Sequence, residues 1–152
     1  MKTIISNSPK ETRLFAAIQA KKINGSTAIL LNGELGSGKT EFVKGFCKAV
    51  GITKKISSPT FILQKSYDFK KQNKPFVLHH FDFYRLKGKT SVFGLGLKDI
   101  FEQKNQVTII EWPKKNLRLY KLLPKKIVRI NFQYGEKENS RKITIADSAG
   151  ND

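Results

Sequence analysis

The sequence contains one cysteine, Cys47, so no internal disulfide can form, and no Cys/His cluster of zinc spacing exists. A disulfide-stapled secreted domain and a structural zinc module are both excluded, and a reducing compartment, the cytoplasm, is the expectation. Long apolar runs are missing too. The longest, such as Ala28 to Leu31 and Val107 to Ile110, fall far below the ~18 residues that a membrane span needs. Only Ile4 and Ile5 follow Lys2 before Ser6, Asn7 and Pro9 intervene, so a secretory signal is not expected. Acids are scarce, 12 Asp and Glu against 29 Lys and Arg, for a net charge of +17. Arginine is scarce as well: 24 of those 29 cations are Lys.

What is present is bulky apolar content: 39% hydrophobic residues with 11 Phe and 4 Tyr, too much for a disordered tail. A chain of 152 residues is one domain's worth and buries roughly 68–70% of the surface its unfolded form exposes. No internal repeat or linker interrupts it, so residues 1–147 are expected to form one domain and residues 148–152 to fray. The positive surplus favours contact with a polyanion such as RNA. Lys spread this evenly, beside many Asn, Ile and Phe, reads equally as compositional drift, because phosphate clamps and base readers favour Arg. Pairs such as Lys54-Lys55, Lys114-Lys115 and Lys125-Lys126 are most simply solvated charges.

Along the chain, Ser8-Pro9-Lys10-Glu11 fits a capping box, and Leu14, Phe15, Ala17 and Ile18 supply the apolar face of a first helix ending near Lys22. Asn24-Gly25-Ser26 is a turn cluster, and Thr27 to Leu31 reads as a buried strand. A second helix follows Thr40, with Phe42, Val43, Phe46, Cys47 and Val50 at helical spacing and Gly51 closing it. From Ser57 the pattern turns to strands: Phe61 to Phe69 and Phe76 to Tyr84 form an antiparallel hairpin. Arg85 to Lys98 is loop-like, a short helix spans Leu97 to Gln103, and Val107 to Glu111 is another apolar strand. Asn116 to Leu123 is expected to be helical, and the stretches around Ile130 and Ile143 form a last hairpin about Gly135 to Ser140. The result is an α/β fold: a three-layer P-loop NTPase-like domain, with a mixed sheet, antiparallel hairpins and flanking helices.

The chemistry centres on Gly33-Glu34-Leu35-Gly36-Ser37-Gly38-Lys39-Thr40, which matches G-x-x-x-x-G-K-[ST] between an apolar strand and an amphipathic helix. Gly36 and Gly38 permit backbone that aims N–H groups at phosphate oxygens, and the helix N-terminus adds its dipole. Lys39 should reach the β- and γ-phosphates of ATP, and Thr40 should offer a hydroxyl to Mg²⁺. Such a site needs a carboxylate at a strand end, and two qualify: Asp82, after Phe76 to Phe81, and Glu111, after Val107 to Ile110. Asp82 as partner of Arg85 and Glu111 as a solvated strand-end charge are the plainer readings. Which of the two binds Mg²⁺ directly stays open. Thr60, in Ser57-Ser58-Pro59-Thr60-Phe61, either senses the γ-phosphate or starts a strand after a Pro59 turn. His79 and His80, adjacent in a strand, face opposite sides of a sheet and cannot easily share a metal ion. Trp112 packs against nucleotide or partner, or is simply a core or rim residue. Cys47 is expected to be inert.

Together these motifs resemble the TsaE family, P-loop ATPases of bacterial tRNA threonylcarbamoyladenosine biosynthesis. Gly33 to Thr40 resembles the family's G-[DE]-L-G-[AS]-G-K-T loop, Ser58 to Phe61 its S-P-T-[FY], His80 to Leu86 its H-x-D-x-Y-R-L, and Glu111-Trp112-Pro113 its E-W-P. The resemblance implies an ATPase of weak intrinsic turnover that acts on the transferase TsaD and its paralogue TsaB rather than on tRNA itself. It implies that Lys39 and Thr40 hold phosphates and Mg²⁺, that Asp82 and Glu111 form the acidic pair around the ion, that Thr60 is the switch, and that Trp112 lies at the nucleotide edge. The start of the first helix, near Ser8, falls on the adenosine side. Two features depart from the family: Lys87 to Phe93 lacks the acidic residues usual after Tyr-Arg-Leu, and +17 is unusually basic. Direct contact with tRNA would account for the charge, as would drift.

Two other functions are weighed against this. A small-molecule kinase generally needs a lid with arginines, and Arg13, Arg85, Arg118, Arg129 and Arg141 are dispersed. A basic RNA-binding module without ATPase activity would use the Lys surface and exposed aromatics. No guanine-selective N-K-x-D motif is apparent.

Overall fold

Ser8 caps the first helix as its sequence predicts, with the Glu11 N–H donating to Ser8 Oγ at 3.2 Å and Pro9 in the first turn. The Glu11 carboxylate accepts from the Asn7 N–H at 2.7 Å, one residue outside the position a capping box would reach. The computed structural model of the chain describes residues 2–86 and 92–148. In chain order its elements are β1 (Lys2–Ser6), α1 (Pro9–Lys21), β2 (Thr27–Asn32), α2 (Lys39–Ala49), β3 (Gln64–Lys71), β4 (Lys74–Asp82), α3 (Leu97–Glu102), β5 (Gln106–Glu111), β6 (Ile127–Tyr134) and β7 (Arg141–Ser148). Short 3-10 turns occupy Val92–Leu95, Pro113–Lys115 and Leu117–Lys121.

The strands form one mixed seven-stranded sheet in the order β1-β7-β6-β2-β5-β4-β3. Its centre, β6-β2-β5-β4, is parallel, and antiparallel β3, β7 and β1 close the two flanks. β2 is buried from Thr27 to Leu31, as a largely apolar run at the centre of a covered sheet requires. On one face Ile29, Leu31, Leu78, Ile109, Ile130 and Ile143 pack beneath Phe15, Phe42 and Phe46 of α1 and α2. On the other, Leu30, Phe81 and Ile110 pack under Leu97 and Ile100 of α3 and Leu119. Among the described residues no helix is long and apolar enough to cross a membrane.

Several expectations are corrected. The buried face of α1 is Thr12, Phe15, Ala16, Gln19 and Ala20, while Leu14 and Ile18 lie exposed. The cause is a close approach: a Cβ on Gly45 of α2 would lie 2.5 Å from Arg13 Cα, so α1 sits against α2 through small residues and turns its branched ones outward. The first strand of the hairpin begins at Gln64, not Phe61, because Pro59 to Leu63 forms a turn. There the Ile62 and Leu63 N–H groups donate to the Pro59 carbonyl, and Leu63 has φ +64°. Asn116 to Leu123 is a 3-10 turn rather than an α-helix, opened by the Asn116 side chain accepting from the Arg118 N–H. β1 was not foreseen, since Lys2 to Ser6 shows too short an apolar pattern; it pairs with β7 at the sheet edge. β7 runs to Ser148, one residue into the segment expected to fray. Residues 149–152, and Lys87 to Ser91 of the non-acidic stretch, lie outside the described residues.

Candidate functional site

The parallel centre of the sheet points its strand ends β2, β4 and β5 to one edge, where ligands of open α/β sheets bind. Asn32 ends β2, and Gly33 to Gly38 form the loop that enters α2 at Lys39. The loop is cramped against β6, since a Cβ on Gly33 would fall 2.7 Å from the Phe132 carbonyl oxygen. Gly38, the residue before α2, has φ +103°, a region that favours glycine. The loop is braced from outside: Tyr134 donates its hydroxyl hydrogen to the Leu35 carbonyl, and Arg141 donates to the Gly36 carbonyl at 3.1 Å with its guanidinium over the Tyr134 ring.

Asp82 and Glu111 are register partners at the ends of β4 and β5, on the sheet face that α2 covers. Both are 3% exposed, so Glu111 is no solvated strand-end charge. The Thr40 hydroxyl donates to Glu111 Oε1 at 3.5 Å, and His80 Nε2 lies 2.8 Å from the same oxygen. A carboxylate only accepts, so the proton sits on Nε2. His79, one residue earlier, faces the other way and meets Ser66 and Gln106. Asp82 is held by Ser58 Oγ, by Thr60 Oγ1 at 2.7 Å and by the Tyr84 N–H at 2.8 Å. Arg85 does not pair with it; its guanidinium lies 4.3 Å from the centre of the Phe61 ring.

The Lys39 ammonium is buried, donates to the Gly33 and Glu34 carbonyls at 2.7 and 2.8 Å, and sits 4.2 Å over the Trp112 ring. Burial lowers its pKa below the usual lysine value, and Glu111, Asp82 and Glu34 partly oppose the shift. Trp112 occupies the left-handed region at φ +59°, its N–H donating to the Leu31 carbonyl, with its ring 5.0 Å from that of Tyr84. Lys39, Thr40, Thr60, Asp82, Glu111 and Trp112 thereby line one cavity of about 330 Å³, together with Leu35, Gly36 and Gly38. Gly33 and Glu34 border a neighbouring groove, and Ser37 is buried beneath the loop. Thr60 starts no strand; it faces the same cavity.

Sequence reasoning missed Ser58 as a ligand of Asp82, His80 as the holder of Glu111, and the bracing pair Tyr134 and Arg141. The H-x-D alternation was a usable signal, because residues two apart in a strand share a face. The brace carries none, as it joins positions about a hundred residues apart. Among the described residues no cluster of three His, Cys, Asp or Glu forms a metal centre. The oxygen set of Thr40, Asp82 and Glu111 suits a hard ion that takes its other ligands from phosphates and water, as Mg²⁺ does.

A family model described as "Threonylcarbamoyl adenosine biosynthesis protein TsaE" matches residues 6–143. The chain is 35% identical over 133 residues to the tRNA threonylcarbamoyladenosine biosynthesis protein TsaE of Rickettsia bellii, covering 85% of this chain and 84% of that one. It is 30% identical over 142 residues to the protein of the same name from Treponema pallidum, covering 93% and 98%. Among solved structures it resembles Bacillus subtilis YdiB, with a TM-score of 0.73 and 27% identity over 98% of this chain and 86% of that one.

Proposed function

This chain belongs to the TsaE family of tRNA threonylcarbamoyladenosine biosynthesis, and from that premise we propose that it binds and slowly hydrolyses ATP with Mg²⁺ in the cytoplasm, as an accessory to the TsaD–TsaB transferase complex. The observation that carries the reading is the convergence of Lys39, Thr40, Asp82 and Glu111 on one cavity at the strand ends. Lys39 exchanges the Gly33 and Glu34 carbonyls for β- and γ-phosphate oxygens. Thr40, Asp82 and Glu111 hold the ion, which when bound neutralises charge developing on the phosphates. His80 fixes the Glu111 carboxylate toward Thr40. Thr60 and Ser58, both bonded to Asp82, tie the Pro59 turn to the ion side, where a γ-phosphate draws the Thr60 hydroxyl. No arginine is among the described residues lining the cavity, which supports slow turnover until a partner completes the site. A kinase reading gains nothing from this geometry, as Lys39 is the only cation in that lining.

The test is calorimetry of ATP and GTP with Mg²⁺, wild type against Lys39→Ala, followed by turnover with and without the transferase pair. Binding lost in the variant and turnover raised by the pair are expected. Absence of Mg·ATP binding by the wild type overturns the reading, and equal rates with and without the pair overturn its partner half. Asp82→Ala and Glu111→Ala should each weaken Mg²⁺-dependent turnover; full activity in either removes that residue from the role.

A further inference from the structure

The face of the sheet opposite α1 and α2 is only half covered. α3 and the turn Leu117–Lys121 close over β2, β5 and β4. Beside them β6, β7 and β1 show the same face without a described helix on it. Its side chains follow from the alternation: Val128, Ile130, Phe132, Ile143 and Ile145 point into the α1–α2 core, so Asn131, Gln133, Lys142 and Thr144 point the other way, as does Thr3. Among the described side chains of these three strands, up to Ala146 in β7, no outward position is Asp or Glu.

The register lines these groups up. Asn32, Asn131, Thr144 and Thr3 are successive partners across four strands, a row about 14 Å long at the usual strand spacing. Gln133 pairs with Lys142 in the next row. The row opens at one end into a groove of about 620 Å³ whose walls include Trp112, Lys114 and Lys115, with Glu34 its single acid. Uncharged amide and hydroxyl donors along a flat face, lysines at its rim and an indole at its end are the groups that contact phosphate and sugar and stack a base.

We propose that this half-sheet, from Thr3 across Thr144 and Asn131 to the Lys114 groove, docks an RNA backbone. The surface meets the ATP cavity at Trp112, Gly33 and Glu34, otherwise lies apart from it, and does not depend on hydrolysis. It converts part of the +17 charge from a diffuse property into a located one.

The probe is a fluorescein-labelled tRNA transcript, titrated by anisotropy at several salt concentrations. Lys114→Glu/Lys142→Glu is compared with Lys10→Glu/Lys22→Glu, which makes the same net charge change in the first turn of α1 and just past its end, across the sheet. The first pair should raise Kd at least tenfold and flatten the dependence of log K on log salt by about 2, near 0.9 for each phosphate no longer neutralised. The second should change Kd less than threefold. Asn131→Ala/Thr144→Ala, which leaves net charge untouched, should raise Kd three- to tenfold. Equal losses in the two charge variants, or no loss in the first, overturn the proposal, as does competition by polyglutamate as effective as that by unlabelled RNA. Asp82→Ala, whose side chain lies in the ATP cavity and not in the groove, should bind the transcript like wild type, so failure here and failure of the ATPase reading are told apart.

Discussion

Replacing Gly45 by alanine sets two physical effects of opposite sign against each other. In an exposed helix interior the change stabilises by about 1 kcal/mol, because glycine has the poorer helix propensity. Gly45 is not in such a place. A Cβ there would lie 2.5 Å from Arg13 Cα and 2.8 Å from its carbonyl carbon, with the carbonyl oxygen closer still. Backbone cannot swing aside as a side chain can, so α1 must withdraw from α2 by about 1 Å to reach ordinary contact distance. That withdrawal loosens the Phe15–Phe42 ring contact, now 5.9 Å between centroids, and the Arg13–Glu41 ion pair. Overpacking of this kind costs about 1–3 kcal/mol. Against rigid backbone the upper part of that range, about 2–3 kcal/mol, applies, so with the propensity gain set against it the net is a loss of about 1–2 kcal/mol, or a fall in Tm of roughly 2–8 °C for a domain of this size. Thermal unfolding followed by far-UV circular dichroism, without nucleotide, measures it. Gly25→Ala, at a position with nothing within 4 Å, is the control and should not lower Tm. A Gly45→Ala protein as stable as wild type, or more so, would refute the close crossing and with it the account of why Leu14 and Ile18 face outward.

Three further outcomes follow from the geometry. For Glu41, burial alone would raise the carboxyl pKa, but hydrogen bonds and charge from Lys44 and Arg13 outweigh it and hold the group below its usual value. Its contribution is therefore present above the ordinary carboxylate range and lost as pH falls through the lowered one. The stability gap between wild type and Glu41→Gln, below about 1 kcal/mol for so exposed a cluster, should be seen in urea melts at pH 7 and shrink steadily as pH falls below the ordinary carboxylate range. The Cys47 thiol is pushed up to about 12 by burial, so Ellman's reagent should label it only after unfolding; prompt labelling of the native protein contradicts its placement. Ser58→Ala and Thr60→Val remove donors that share Asp82 Oδ2 and lie 2.7 Å from each other, so a double-mutant cycle in Mg·ATP affinity should show coupling of about 0.5–3 kcal/mol, and additivity within about 0.3–0.5 kcal/mol would mean the two hydroxyls act separately.

The parts legible in the sequence were those with local rules. The Ser8 cap, the apolar run of β2, the glycine-rich loop and the 3.6 period of α2 each follow from neighbours in the chain, and so does the hairpin, although its turn is only Gln72-Asn73, both with positive φ. The buried side of α1 was not legible, because Leu14 and Ile18 satisfy the period as well as Ala16 and Ala20 do. Only the proximity of Gly45, some thirty residues on, decides between them. The start of β3 failed for a related reason: Phe61 and Ile62 have strand-forming side chains but stand exposed in a turn set by Pro59 and by Leu63 in the left-handed region. At the site, motif spacing named Lys39, Thr40, Asp82 and Glu111. The hydroxyl, imidazole and backbone groups that hold them were out of its reach, since contact across strands depends on register.

How those charges are held bears on how such a site turns over. Among the described residues no ion pair joins Lys39 to Asp82 or Glu111, although all three are buried around one cavity. Each is satisfied chiefly by groups other than its charged neighbours: two carbonyls for Lys39, three donors for Asp82, His80 and Thr40 for Glu111. A direct Lys39–carboxylate pair would have to break, at the cost of stranding a buried charge, before phosphate and ion could enter. Carbonyls and hydroxyls give way one hydrogen bond at a time, each replaced as it is lost. On the proposed reading an anion and a hard cation enter together, and the Ser58 and Thr60 hydroxyls on Asp82 exchange partners in the same step.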